Sequence, residues 1–296
     1  MEFIKVKTIL NKVKYGSSWY GIDYNMNLYR GCCHGCIYCD SRSQCYHIAH
    51  FDKVKGKENA LQILEKELMS KRSKGIIGIG SMSDTYNPLE MVYKQTRSAL
   101  KLIHQYGFGV SIDTKSDLIL RDIDMLKKIN AQNNVIIKFT ITTPSDKLSK
   151  IIEPNVCETS KRLHAIKILS DNGLFVGIMM NPVLPFITDN EDDVRELVKL
   201  ASQAGAKFIH TYMGMTLRDV QRDYYFERLD EYFIGLKQEY IRFYKDMYNC
   251  VSIKHERLYQ VFINECKKYD ILYDMKDIIK AYKKEIKHYE QLALFK

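Results

Sequence analysis

Apolar residues along the chain alternate between two rhythms. Short, β-branched-rich runs read as strands at Asp23–Leu28, Ile76–Gly80, Phe108–Asp113, Val135–Thr142, Leu174–Asn181 and Lys207–Tyr212. Between them lie helix-period stretches at Glu58–Lys71, Pro88–Gln105, Arg121–Asn130, Glu158–Ser170 and Glu191–Ala204. The last is the clearest. Val194, Leu197, Val198 and Ala201 form one stripe at i, i+3, i+4 and i+7. Thr188, Asp189 or Asn190 suits its N-cap, acids fill its first turn, and Gly205 stands where a C-terminal cap is expected. Six strands, most followed by a helix, predict an α/β fold with a parallel sheet and right-handed crossovers. Eight would close a barrel; six suggest an open barrel or a doubly wound sheet. Of the two, a partial (β/α)6 TIM-like barrel is expected over residues 1–218. Ligands then bind at the C-terminal ends of the strands.

The pattern changes after about Asp219. Residues 220–292 read as three helices rich in tyrosine and lysine, with no strand, and Gly235 is the only glycine or proline after Gly214. A helical C-terminal extension over 219–296 is expected.

The 296 residues are 46% hydrophobic and 27% charged, an ordinary globular balance that argues against disorder. No apolar run approaches the roughly 20 residues that span a bilayer. The opening MEFIKVKTIL carries charges within its apolar stretch, unlike a signal peptide. A cytoplasmic protein without a membrane partner is the expectation. The net charge of +9 is spread among acids without a run of like charges, which describes a solvated basic surface and permits a nucleic-acid partner without establishing one.

Cysteine changes the picture. Of eight, Cys32, Cys33, Cys36, Cys39 and Cys45 fall within fourteen residues, whereas Cys157, Cys250 and Cys266 are scattered. Such clustering in a long chain points to metal rather than a disulfide framework. Cys32, Cys36 and Cys39 have the spacing C-x3-C-x2-C, on a glycine-flanked loop just after the first strand. Three thiolates can hold three corners of a four-iron cubane and leave the fourth iron open, which is a catalytic arrangement. The alternative is a structural Cys3His zinc site using His34 or His47 in a non-enzymatic interaction protein. Cys33 is taken as a neighbour, and the remaining cysteines as small core residues.

The string Asn27-Leu28-Tyr29-Arg30-Gly31-Cys32-Cys33-His34-Gly35-Cys36-Ile37-Tyr38-Cys39-Asp40 resembles the signature of the radical S-adenosylmethionine (SAM) superfamily, and within it the spore photoproduct lyase-like branch. The resemblance runs through residues 20–215. It implies a [4Fe-4S] cluster on Cys32, Cys36 and Cys39 and SAM chelated to the open iron. One electron from a low-potential donor such as flavodoxin or ferredoxin would cleave SAM, giving methionine and a 5′-deoxyadenosyl radical that abstracts hydrogen from an unknown substrate. A nucleic-acid lesion is the alternative substrate.

The resemblance also implies cofactor contacts. Tyr38 is the aromatic residue before the last cysteine. Ser83 and Asp84 stand where the superfamily holds the SAM ammonium, although Asp84 or Asn87 also suits a cap for the helix near Pro88. Lys115, at the end of the third strand, is placed to pair with the SAM carboxylate. Thr140 and Thr142 on the fourth strand, Arg162 near a helix start, and Asn181 after the fifth strand complete the set. Glu153-Pro154 with Arg162 also matches the branch. Spore photoproduct lyases proper carry a cysteine as hydrogen donor after the second strand. Here Ser81 takes that position, which weakens a photolesion-repair reading and leaves Tyr86 or another tyrosine as a substitute donor.

Overall fold

The computed structural model describes residues 1–13 and 18–283. Its strands are β1 (Phe3–Ile4), β2 (Asn11–Lys12), β3 (Tyr24–Met26), β4 (Tyr29–Arg30), β5 (Lys55–Lys57), β6 (Ile76–Ile79), β7 (Gly109–Thr114), β8 (Val135–Thr140), β9 (Phe175–Met180), β10 (Ile209–Thr211), β11 (Gly214–Thr216) and β12 (Asn249–Val251). Its helices are α1 (Ala60–Ser70), α2 (Glu90–Tyr93), α3 (Gln95–Gln105), α4 (Ile123–Gln132), α5 (Asp146–Ile152), α6 (Thr159–Asp171), α7 (Glu191–Gln203), α8 (Asp219–Tyr232), α9 (Leu236–Tyr244), α10 (His255–Lys268) and α11 (Met275–Tyr282).

The main sheet has seven strands in the order β10-β9-β8-β7-β6-β3-β2. The six from β3 to β10 run parallel, and β2 adds antiparallel to β3. These six are the strands the sequence predicts. β10 and β2 form the two edges and do not pair, so the fold is α/β with a partial barrel. Two small sheets accompany it, β1-β5-β4 and β11-β12.

The period of two divides the strand residues between two faces. Ile77, Ile79, Val110, Ile112, Val135, Ile137, Val176 and Ile178 point out and join the main core with Leu64, Leu100, Leu126, Ile166, Leu197 and Val198 of the covering helices. On the other face, Ile76, Ile136 and Phe175 lie near the strand starts and pack with Tyr20, Phe208, and Ile278 and Tyr282 of α11, which plug that end. Two residues further along, the inner face turns polar. Lys138 is 1% exposed, and its Nζ lies 2.8 Å from Ser111 Oγ and 3.1 Å from Asp113 Oδ1, over the Tyr20 ring. A charge buried this deeply is costly unless it is paired. Toward the C-terminal rim Gly80, Asp113, Lys115 and Thr140 face a cavity.

Capping follows the sequence at α7, where Asn190 accepts a hydrogen bond from Asp193 N at 2.8 Å. Elsewhere the structure corrects the pattern. Pro88–Gln105 is not one helix: it breaks at Lys94, which is left-handed (φ 49°). The extension holds four helices rather than three among the described residues, and the strand β12. The part of the predicted extension from 284 onward lies outside the described residues.

Candidate active site

The cysteine loop leaves β4 through Gly31, whose φ of +81° and closeness to the Phe51 carbonyl (2.5 Å from an ideal Cβ) admit no side chain. Cys32 N donates to that carbonyl at 2.9 Å, and Ser83 Oγ donates to Gly31 O at 2.6 Å. Cys32 and Cys36 are buried, Cys39 is half-buried, and all eight cysteines are free thiols.

The three thiols line one cavity of about 90 Å³ together with Ser41, Gly80, Ser81, Ser83, Asp84, Asp113, Lys115 and Thr140. A second cavity, of about 330 Å³, shares Cys39, Ser41, Ser81 and Lys115 with the first and adds Tyr38, Asn181, Pro182, Tyr212 and the strand β11. Of the residues expected at the cofactor, the fold thus gathers Tyr38, Ser83, Asp84, Lys115, Thr140 and Asn181 around the cysteines.

Two expected cofactor contacts lie elsewhere. Arg162 is fully buried, donating to Thr140 O and Ser149 Oγ at 2.7 Å and to Glu153 Oε2 at 2.6 Å. Its guanidinium is committed to the protein interior because an unpaired buried charge would cost several kcal/mol. Thr142 is buried and lines neither cavity. Strand β8 ends at Thr140, so the period that would bring Thr142 to the same face has ended. Tyr86, the substitute hydrogen donor, is fully buried and faces a different cavity, whereas Tyr38 and Tyr212 line the site.

Asp84 has a fuller role than its type suggests. Oδ1 accepts from Thr114 Oγ1 at 2.7 Å and Tyr86 N at 2.8 Å. Oδ2 accepts from Lys115 N at 2.7 Å and faces His34 Nε2 at 3.2 Å. Burial opposes its charge, but His34, Lys115 and Thr114 hold the carboxyl down to about 2. Four partners from the chain occupy it, so it knits the cysteine loop to β7 more than it awaits an ammonium. Lys115 is half-buried. Burial opposes its charge, yet Cys36, Glu153, Asp84 and Cys39 raise it above the ordinary lysine value.

The donor set fits an iron–sulfur cluster. Burial pushes the Cys32 thiol up to about 12 and raises those of Cys36 and Cys39, with Lys115 the largest opposing influence on the latter two. Metal binding takes such thiols as thiolates and offsets that cost. Among the described residues no three His, Cys, Asp or Glu side chains converge as a single ion requires. A cubane instead takes each thiolate on its own iron. His34, a zinc-ligand alternative, is engaged by Asp84 and by the Asn155 carbonyl at 3.3 Å. The sequence reading missed Asp113, Ser41 and β11 as walls. The first was legible from its face on β7; the strand β11 is three residues long and carries no period.

Fold and site together define an α/β protein with three free thiols lining one cavity at the rim of a partial barrel. Residues 26–201 match the family model of the radical SAM superfamily. An uncharacterized protein of Methanocaldococcus jannaschii is 32% identical over 276 residues, covering 90% of this chain and 93% of that one. An uncharacterized protein of Mycobacterium tuberculosis H37Rv is 27% identical over 226 residues, covering 74% and 66%. Among solved structures, spore photoproduct lyase complexed with dinucleoside spore photoproduct matches with a TM-score of 0.66 at 13% identity, covering 90% of this chain and 79% of that one. The chain belongs to the radical SAM superfamily and shares the fold of spore photoproduct lyase. Membership implies a [4Fe-4S] cluster and SAM. Among the described residues no helix is long and apolar enough to cross a membrane.

Proposed function

We propose that Cys32, Cys36 and Cys39 hold the [4Fe-4S] cluster and that the adjoining cavity takes SAM and the substrate. The carrying observation is that three free thiols, Lys115 and the polar ends of β6, β7 and β8 line one cavity. When bound, the cofactor pair supplies reductive cleavage of SAM to methionine and a 5′-deoxyadenosyl radical, which abstracts hydrogen from the substrate. The chain supplies position and shelter from water. Lys115 offers a half-buried cation for a carboxylate. Ser83 and Thr140 offer hydroxyls on the cysteine side, and Tyr38, Asn181 and Tyr212 line the larger cavity where adenosine and substrate would lie. The electron comes from a low-potential donor of the flavodoxin or ferredoxin kind.

The protein reconstituted anaerobically with iron and sulfide is expected to bind about four irons per chain and, once reduced, to release 5′-deoxyadenosine and methionine from SAM. Absence of both iron–sulfur absorption and product sinks this reading. A nucleic-acid substrate draws support from the aromatic and basic groups near the larger cavity: Tyr212 lines it, and Arg218 lies 5.4 Å from the Tyr46 ring and 5.1 Å from that of Tyr248. Damaged DNA added to the same assay stimulates product release if that is the substrate class and leaves it unchanged otherwise.

A further inference from the structure

The strip Ile152–Asn155, which begins at the last residue of α5, lies along the back of the cysteine loop more than a hundred residues away in sequence. Ile37 N donates to Ile152 O at 3.0 Å, and Asn155 N donates to His34 O at 3.1 Å. Asn155 Nδ2 donates to Cys33 O at 2.9 Å. Gly35 is left-handed (φ +70°), and an ideal Cβ there would lie 3.1 Å from Pro154 Cγ, so loop and strip are in close contact.

In the middle of this seam the Tyr38 hydroxyl donates to Glu153 Oε1. Glu153 Oε2 is held by Arg162, and neither residue has any exposure. Burial opposes the Glu153 charge, but Arg162, Lys115 and Tyr38 hold it below the ordinary carboxylate value. A charged carboxylate therefore stands behind the loop, one side chain away from the backbone that joins Cys36 to Cys39. In a neutral Gln the amide oxygen still accepts from the Tyr38 hydroxyl, so the bond to the cysteine loop stays in place, while the amide nitrogen gives up the bond to Arg162.

Net charge and hydrogen bonding around an iron–sulfur cluster set its reduction potential. A fixed negative charge beside the cluster opposes the arrival of an electron. We propose that Glu153 is a positioning residue: together with Arg162 and Tyr38 it holds the cysteine loop in shape for iron, and its charge makes the cluster bound there harder to reduce. The proposal rests on the cluster reading above. It also gives Arg162 a part at the site through Glu153 rather than through SAM.

The test compares wild type with Glu153→Gln, both reconstituted anaerobically, by iron content and by potentiometric titration followed by electron paramagnetic resonance. Both are expected to bind about four irons. At the wild-type midpoint the variant should show a reduced-to-oxidised ratio raised at least tenfold, equivalent to a 59 mV positive shift for a one-electron couple. An unchanged midpoint in a fully loaded variant overturns the proposal. Wild type that takes up no iron overturns the cluster reading itself, so the two failures are distinguishable. Tyr38→Phe keeps both buried charges and removes only the hydroxyl. In the metal-free variant, amide exchange at Ile37 should quicken at least tenfold. Exchange no faster than in wild type overturns the holding role, whatever the fate of Glu153→Gln.

Discussion

Cys36→Ala should lose the cluster and, with it, all reductive cleavage of SAM. Cys36 is the middle cysteine of C-x3-C-x2-C and is buried at the floor of the loop, 5% exposed. Its removal leaves two thiolates for a centre that needs three from the chain. No neighbour stands ready to replace it: Cys33 is half-buried on the outer side of the loop, where it lines a separate cavity with Pro154 and Tyr224. Iron bound per chain should fall from about four to less than one, and 5′-deoxyadenosine should drop below detection. Cys33→Ala should retain both. A tight, fully loaded cluster in Cys36→Ala would refute the ligand assignment.

Asp84→Ala should be the most destabilising single change at the site. It strips four partners at once, including two backbone N–H groups and a hydroxyl that have no other acceptor in view. Breaking a buried charged network by removing one member costs about 3 to 5 kcal/mol, and denaturant unfolding of the metal-free protein should register a loss of that size. Asp84→Asn keeps the shape and should cost less. The pH dependence has a definite sign. The folded carboxyl is held at about 2, below the roughly 3.9 of an unfolded aspartate. Its charge therefore stabilises the fold above about pH 4, and that contribution is lost as pH falls through the folded value. The stability gap between wild type and Asp84→Asn should narrow over the same interval. A gap that is constant with pH would show that the charge of Asp84 contributes nothing.

The barrel strands were legible because each is a run of β-branched residues whose register is set by burial on both faces, as in Val135–Thr140. Helix boundaries failed where partners from distant segments hold the deciding residue. Glu90 is fully buried, paired with Arg121 and bonded to Tyr29, and its Oε1 accepts from Thr96 N at 2.7 Å. That tertiary contact caps α3 and separates it from α2, and no local pattern in Pro88–Gln105 announces it. The strands β4, β5, β11 and β12 span two or three residues each, too few to show a period.

At the site, spacing singled out the cysteines, because three thiols on one short loop are brought to one cavity by local geometry that the sequence carries. Lys115 and Thr140 were legible from their places on strand ends. Arg162 was misjudged for a physical reason: residue type alone cannot tell a guanidinium that faces a ligand from one that neutralises a buried Glu153 nine positions earlier. Asp84 was placed correctly at the cavity, but its saturation by His34, Thr114 and two backbone amides depends on three segments meeting.

One measurement addresses the central claim, that three cysteines hold a four-iron cluster with one iron left for SAM. The reduced, reconstituted wild-type protein is examined by electron paramagnetic resonance before and after SAM is added. A reduced-cluster signal whose shape changes with SAM is the result expected of an open iron. A signal that is indifferent to SAM at saturating concentration, or a zinc-loaded protein with no signal at all, would contradict it.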